Sequence, residues 1–275
     1  MQAEELLRTG QLDEALAAVE DQVRAAPADA KPRVFLFQLL AVMGDWERAL
    51  TQLNVAAELD PLNLLMAQVC RSALQCEALR REIFAGKRSP LVFGEPEEWV
   101  GLLVQANELI ARGKYQASQN LREAAFEAAP ATAGSVDDRR FEWIADADSR
   151  LGPLLEAIVE GRYYWVPFTA IKEVQIEAPA DLRDLVWLPA QFTWINGGQT
   201  PGLIPTRYPG SETSEENAIK MARKTDWIEH PGDVYLGLGQ RMFATDDGEL
   251  ALLQIRQLTL DAAPTSQETG EPNDG

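Results

Sequence analysis

Residues 10–29, GQLDEALAAVEDQVRAAPAD, and residues 44–63, GDWERALTQLNVAAELDPLN, are two copies of one pattern. Gly10 matches Gly44, Ala15 matches Ala49, Leu16 matches Leu50 and Pro27 matches Pro61, each pair 34 residues apart. A third copy, GKYQASQNLREAAFEAAPAT, spans 113–132, with Gly113 and Pro130 lying 69 residues beyond Gly44 and Pro61. Each feature of the pattern has a physical reason. Gly ends one helix and permits a tight turn. An acidic or polar residue opens the next helix, a small Ala lets two helices approach closely, and Pro stops the second helix. Between the copies, Val34, Phe37, Leu40 and Ala41 keep the helical period. Further out, the spacing predicts a long helix from about Leu62 to Phe84. The segment GKRSPLVFGEP at 86–96 then interrupts, and helices near 97–112 and 114–129 form another pair.

This half resembles the tetratricopeptide family over residues 1–132, whose period is 34 residues. It implies roughly three helix pairs with one elongated member. In that register Lys31, Val34, Gln38, Leu65, Gln68 and Gln75 face a concave groove, a natural receptor for a peptide or helix. The same residues would equally serve as a solvated face, or pack against the second half.

After Ala133-Gly134-Ser135 the periodicity changes. Candidate strands are Arg140–Ala145, Leu154–Val159, Arg162–Phe168, Lys172–Glu177, Leu185–Ile195, Gly202–Tyr208, Arg241–Ala244 and Glu249–Gln257. Several are rich in aromatic and β-branched residues, and Asn196-Gly197-Gly198 and Asp246-Asp247-Gly248 are hairpin signals. One helix is expected near Ser214 to Lys224. The fold class is therefore α+β: a helical repeat domain over 1–132, then a β-rich, small barrel-like domain over 133–260. The tail at 261–275, polar with Pro and Gly, is expected to be disordered.

Composition works by exclusion. Lys plus Arg is 25 against 43 Asp plus Glu, a net charge of -18, which argues against nucleic acid as a partner. One His and two Cys cannot build a His-rich metal site or a disulfide scaffold. Cys70 and Cys76 fall on one helix roughly 9 Å apart along its axis, too far for a disulfide, and read as small buried thiols. The start MQAEELLRTG lacks the basic and apolar regions of a secretory signal, and no stretch is apolar enough to cross a membrane. A cytoplasmic protein without metal or cofactor is the expectation.

Local motifs carry no catalytic chemistry. Gly237-Leu238-Gly239 lacks the third Gly of a dinucleotide loop, since position 242 is Met, and precedes a strand. His230, in EHPGD, reads as a surface-loop histidine with no nucleophile elbow elsewhere in the chain. Carboxylate pairs such as Glu97-Glu98 and Asp137-Asp138 are uninformative in so acidic a chain. Trp187 and Trp194, seven apart in an extended segment, should lie on opposite faces and read chiefly as core.

PTRYPGSE at 205–212, AIKMARKTDW at 218–227 and GLGQRMFATDDGELALLQIRQL at 237–258, behind a tetratricopeptide-like half, resemble the ImpE family, also called TagJ. Its most distinctive pieces here are Arg207-Tyr208-Pro209-Gly210-Ser211 and Gly237-Leu238-Gly239-Gln240-Arg241, to which no catalytic role attaches. These are accessory proteins of bacterial type VI secretion systems. The resemblance implies a non-enzymatic cytoplasmic adaptor. Its implied partners are the N-terminal helix of the small sheath subunit and the sheath-recycling AAA+ ATPase ClpV, with no membrane or nucleic acid. Two other classes compete: a hydrolase using carboxylates of the β-rich half, and a structural co-assembly factor.

Overall fold

A computed structural model describes residues 2–95 and 97–261. The chain opens with α1 (Gln2–Arg8), α2 (Leu12–Ala25), α3 (Ala30–Met43) and α4 (Trp46–Leu59), followed by a 3-10 turn at Pro61–Asn63 and the 21-residue α5 (Leu64–Phe84). After β1 (Leu91–Val92) come α6 (Glu98–Ala111) and α7 (Tyr115–Ala128). The repeated glycines do what the pattern requires. Gly10, Gly44 and Gly113 follow α1, α3 and α6 with φ of +80°, +77° and +69°, a conformation that favours residues without a Cβ. Asp29 and Asp45 cap α3 and α4 by accepting from the amides of Lys31 and Arg48. Ala15 and Ala49 are wholly buried where neighbouring helices meet.

Helix α5 buries Ala67, Cys70, Ala73, Leu74, Cys76, Arg80, Ile83 and Phe84 along one stripe. Both cysteines are free and buried, and burial pushes their thiols up to about 11 at Cys70 and about 12 at Cys76.

The β-rich part is built on a nine-stranded sheet in the order β1-β6-β5-β9-β8-β7-β14-β2-β3. Its members are β2 (Gly134–Val136), β3 (Arg139–Phe141), β5 (Leu154–Val159), β6 (Arg162–Pro167), β7 (Ile171–Ile176), β8 (Trp187–Trp194), β9 (Gln199–Pro205) and β14 (Gln257–Leu260), together with β1. The sheet is open, with β1 and β3 at its two edges, so the barrel-like closure expected from sequence does not occur. The interrupting segment 86–96 supplies an edge: β1 pairs parallel with β6, and Phe93 stacks on Trp194 at 4.0 Å. A three-stranded sheet, β13 (Gly248–Ala251), β12 (Met242–Thr245) and β4 (Ile144–Asp146), packs nearby, and β10 (Thr225–His230) with β11 (Val234–Gly239) forms a separate hairpin.

Several expected boundaries change. The β10–β11 hairpin occupies a region where no strand is expected and His230 reads as a loop residue. The helix expected near Ser214 to Lys224 shrinks to α8 (Asn217–Lys220). The strand expected over Glu249–Gln257 is broken by a 3-10 turn at Leu252–Gln254. Asp137 and Asp138, an adjacent carboxylate pair without a chemical signature in the sequence, form the β2–β3 turn with φ of +47° and +68°. The tail beyond Asp261 lies outside the described residues.

The sheet has two apolar faces. One, with Trp165, Trp187, Leu154 and Ile158, joins the helical core. The other, with Leu188, Phe192, Trp194, Val174 and Leu258, packs with Phe243 and Ile144 of the smaller sheet. Trp187 and Trp194 lie in different clusters, as strand alternation requires.

A buried ionic network joins helices to sheet. Glu156 on β5 is fully buried and receives Arg80 of α5 through two bonds, at 2.6 and 2.9 Å, while Arg241 and the Tyr163 hydroxyl also donate to it. Arg241 simultaneously pairs with Asp146 of β4. Beside them, Arg150 pairs with Asp148 and lies 4.7 Å over the Phe84 ring. Burial raises the Glu156 carboxyl, but Arg80 and Arg241 outweigh it and hold the group at about 2. Burial pushes Asp146 up to about 7, because the guanidinium it shares with Glu156 compensates only in part.

Removing one member of such a network strands the others, at about 3–5 kcal/mol. Arg241→Ala is therefore expected to lower the urea-unfolding free energy by about that amount; a loss below about 1 kcal/mol would refute the network's role. The two carboxylates predict opposite pH limbs. Glu156, depressed in the fold, contributes stability that is present above its unfolded value of 4.5 and lost as pH falls toward 2. Asp146, raised in the fold, costs stability as pH climbs from 3.8 to about 7. Stability measured against pH should show Glu156→Gln flattening the acid limb and Asp146→Asn flattening the neutral one.

Candidate partner-binding cleft

Helix α5 covers β6 and β5 and reaches the start of β8, where the Trp187 indole N–H donates to Glu77 at 2.9 Å. Arg80 and Phe84 meet Glu156 and Trp165, and the Cys76 thiol lies 3.6 Å from the Gly161 carbonyl in the β5–β6 turn. Beyond Trp187, which packs on Trp46 of α4, the same face over β9, β8 and β7 opens into a cleft of about 1290 Å³. Leu65, Met66, Gln68 and Val69 line its α5 wall. Pro189, Gln191, Pro201 and Gln175 lie on its floor. Pro189 and Gln191 stand at i+2 and i+4 from Trp187 on the helix-facing side of β8, so they belong to the side α5 would have covered. Two of the lining residues are exposed apolar side chains, Leu65 at 75% and Val69 at 43%, and Leu62, 90% exposed, and Leu64 lie just before them in the chain. Such a concentration of large apolar residues in water marks an interaction surface.

The sequence-derived groove residues divide. Leu65 and Gln68 line the cleft. Gln75 is exposed further along α5, outside the lining, and Lys31 is exposed on α3. Val34 is half-buried. Gln38 is buried, and its side-chain oxygen accepts the Leu182 amide at 3.0 Å. The part of the groove on α3 is thus filled by the chain itself. A ten-residue excursion between β7 and β8 places a 3-10 turn, Leu182–Leu185, against α3. The turn is closed by a reciprocal Asp181–Asp184 capping box. Its Arg183 lines the cleft and pairs with Asp181.

The motif residues turn out to be structural. Arg207, 4% exposed, donates to the carbonyls of Val42 and Lys220, at the C-terminal ends of α3 and α8, and burial lowers it to about 10. Tyr208 is wholly buried; its hydroxyl contacts Asp146 at 3.1 Å and both donates to and accepts from the Met242 backbone. Pro209 and Gly210 form the turn that follows, with Gly210 at φ +89°. A Cβ at Gly237 would run into the Tyr208 ring, and one at Gly239 into the Lys224 carbonyl. Gly237-Leu238-Gly239 therefore sits inside β11 to let two segments touch, with no phosphate loop formed. Gln240 bonds the Ala222 carbonyl and the Leu253 amide, and Arg241 is the network arginine described above. Sequence reading found these residues but assigned them no task, because their partners lie far along the chain.

His230 is not a loop histidine. It ends β10 and stacks on Tyr115 of α7 at 4.0 Å and 9°, where Arg122 donates to the Gly232 carbonyl to dock the hairpin. Two carboxylates do converge, Asp146 and Glu156, but they meet on Arg241 in the buried seam, and neither lines the cleft. Asp146 and Asp148 also border a smaller hollow of about 360 Å³ under Phe126 and Trp143, with their carboxylates engaged by Arg241 and Arg150. Among the described residues no cluster of His, Cys, Asp and Glu is arranged to hold a metal ion. Among them, too, no helix is long and apolar enough to cross a membrane.

Known proteins share this architecture and sequence. The family model for the ImpE protein matches residues 138–259. A type VI secretion system accessory component, TagJ of Pseudomonas aeruginosa, is 52% identical over 265 residues, covering 96% of this chain and 92% of that protein. A crystal structure of a Vibrio parahaemolyticus protein superposes with a TM-score of 0.86 at 29% identity, over 96% of this chain and 99% of that one. With more than half of its residues identical to TagJ across nearly its whole length, the chain belongs to the ImpE/TagJ family of type VI secretion accessory components.

Proposed function

We propose that the chain is a non-enzymatic cytoplasmic adaptor that receives the N-terminal helix of the small sheath subunit in the α5 cleft and helps couple the contractile sheath to the ATPase ClpV. The observation that carries this reading is the open part of the sheet face beside α5, bordered by the exposed Leu65 and Val69. Three strands at about 4.8 Å spacing give a floor roughly 10–14 Å wide. An α-helix with its side chains is about 10–12 Å across. The apolar wall suits anchors at i, i+3, i+4 and i+7, and the glutamine-rich floor suits the polar flank of such a helix. The net charge of -18 would draw basic segments of partners toward the protein as a whole. Tetratricopeptide-like hairpins form one wall of the receptor in this reading.

Calorimetry with a synthetic peptide of the sheath subunit's N-terminal helix should give micromolar or tighter binding. Leu65→Asp combined with Val69→Asp should weaken it by at least about tenfold, the equivalent of 1.4 kcal/mol. Both side chains are exposed, so the variant should keep its melting temperature. Absence of binding to folded wild-type protein, or unchanged affinity in the double variant, would count against the cleft. Capture of ClpV from lysate of the native bacterium by the wild type, but not in the absence of sheath, tests the coupling role.

A further inference from the structure

The segment that fills the α3 part of the groove resembles in shape what a partner would bring. Strands β7 and β8 are antiparallel neighbours, so a hairpin of a few residues could join them, yet the chain spends residues 177–186 on the detour. The detour carries a short helical turn with its own capping box, and Leu182, Leu185 and Val186 stand at i, i+3 and i+4 against the helical core. Those are the anchor positions of a helix laid in a groove. Its first free amide is satisfied by the Gln38 side chain of α3. The turn lies between α3 and α5: it bonds Gln38 on one side and, through Arg183, borders the cleft that Cys70 lines on the other.

The seat is imperfect. Leu182 and Leu185 are only half-buried. Asp184 is 5% exposed, and its Oδ1 has no hydrogen-bond partner, its nearest cation being the Arg183 guanidinium at 3.8 Å. A buried carboxylate oxygen left without a donor weakens the docked state relative to one in which it is hydrated.

We infer that residues 178–186 are an internal ligand of the repeat groove, a plug that ends the cleft at Arg183 and must yield when a helix longer than the open cleft binds. With the plug withdrawn, Val34 and Gln38 on α3 become continuous with Leu65 and Gln68 on α5, which is the full groove of the repeat register. The inference rests on the adaptor reading above and adds autoinhibition to it. The binding-competent state is a fraction of the population, and apparent affinity is reduced by that fraction.

The test uses the full chain, the mild variant Gln38→Ala and the stronger variant Leu182→Ser with Leu185→Ser. Each is titrated with the sheath-helix peptide by calorimetry, with circular dichroism and thermal melting to verify folding. Loss of the Gln38 hydrogen bond should favour the open state and tighten binding about fivefold. The double variant should tighten it further. Hydrogen exchange on the wild type should show the Leu182 amide losing protection when peptide is added. Unchanged or weaker affinity in folded Gln38→Ala, with Leu182 still protected in the complex, would overturn the plug and leave the adaptor reading standing. No binding by any of the three folded forms would sink the adaptor reading and the plug with it.

Discussion

Everything in this molecule hangs on a single carboxylate. Glu156 has no contact with water, and it is held by a guanidinium from a helix, a guanidinium from the segment before β12 and a phenol from the neighbouring strand. An isolated carboxylate in that position would be several kcal/mol too costly to ionise. It stays charged because Arg80 and Arg241 both donate to it, and Arg241 brings Asp146 with it. The result is a seam that must assemble as a unit: five arginines, at 80, 122, 150, 207 and 241, are buried where the α-helical and β-rich parts meet. Apolar residues of both parts pack into one cluster there. The ionic groups supply the specificity, because any other docking angle would leave them unpaired.

That seam also explains why the cleft exists. Arg80 and Phe84 pin the C-terminal end of α5 to β5 and β6, and the repeat geometry upstream fixes its other end. The helix can then cover only one side of a nine-stranded sheet. The strands beyond it stay open on that face, and their residues there alternate toward Pro and Gln instead of Val and Leu. An exposed strand face with that composition avoids collapse onto itself while remaining able to accept an amphipathic segment.

How much was legible beforehand depended on distance along the chain. Gly10, Gly44, Pro27 and Pro61 announce helical hairpins because their effects are local: φ, a missing Cβ, a missing amide. The same locality made the strand Leu154–Val159 readable to the residue. Arg207, Tyr208 and Arg241 stood out as a pattern but kept their purpose hidden, since Arg241 meets Asp146 and Glu156 across 95 and 85 residues. The β10–β11 hairpin is not among the expected strands although Pro231-Gly232-Asp233 between alternating segments is a turn signal. Of the groove residues, Leu65 and Gln68 line the cleft, while Gln38 on α3 is covered by the Leu182–Leu185 turn, a contact spanning 144 residues that no periodicity could announce.

The two-residue strand β1 has a consequence for the order of events during synthesis. Leu91 and Val92 lie in the helical part of the sequence, yet they pair only with Tyr164 and Trp165. A nascent chain that has emerged no further than α7 holds a strand with no sheet to join, and Phe93 waits likewise for Tyr164 and Trp194. Pairings of such long sequence separation must close a large loop before they are rewarded. The helical hairpins on either side of this strand can form early and locally. Their final spacing is set late, when β6 arrives and the segment between α5 and α6 is drawn onto the sheet's edge.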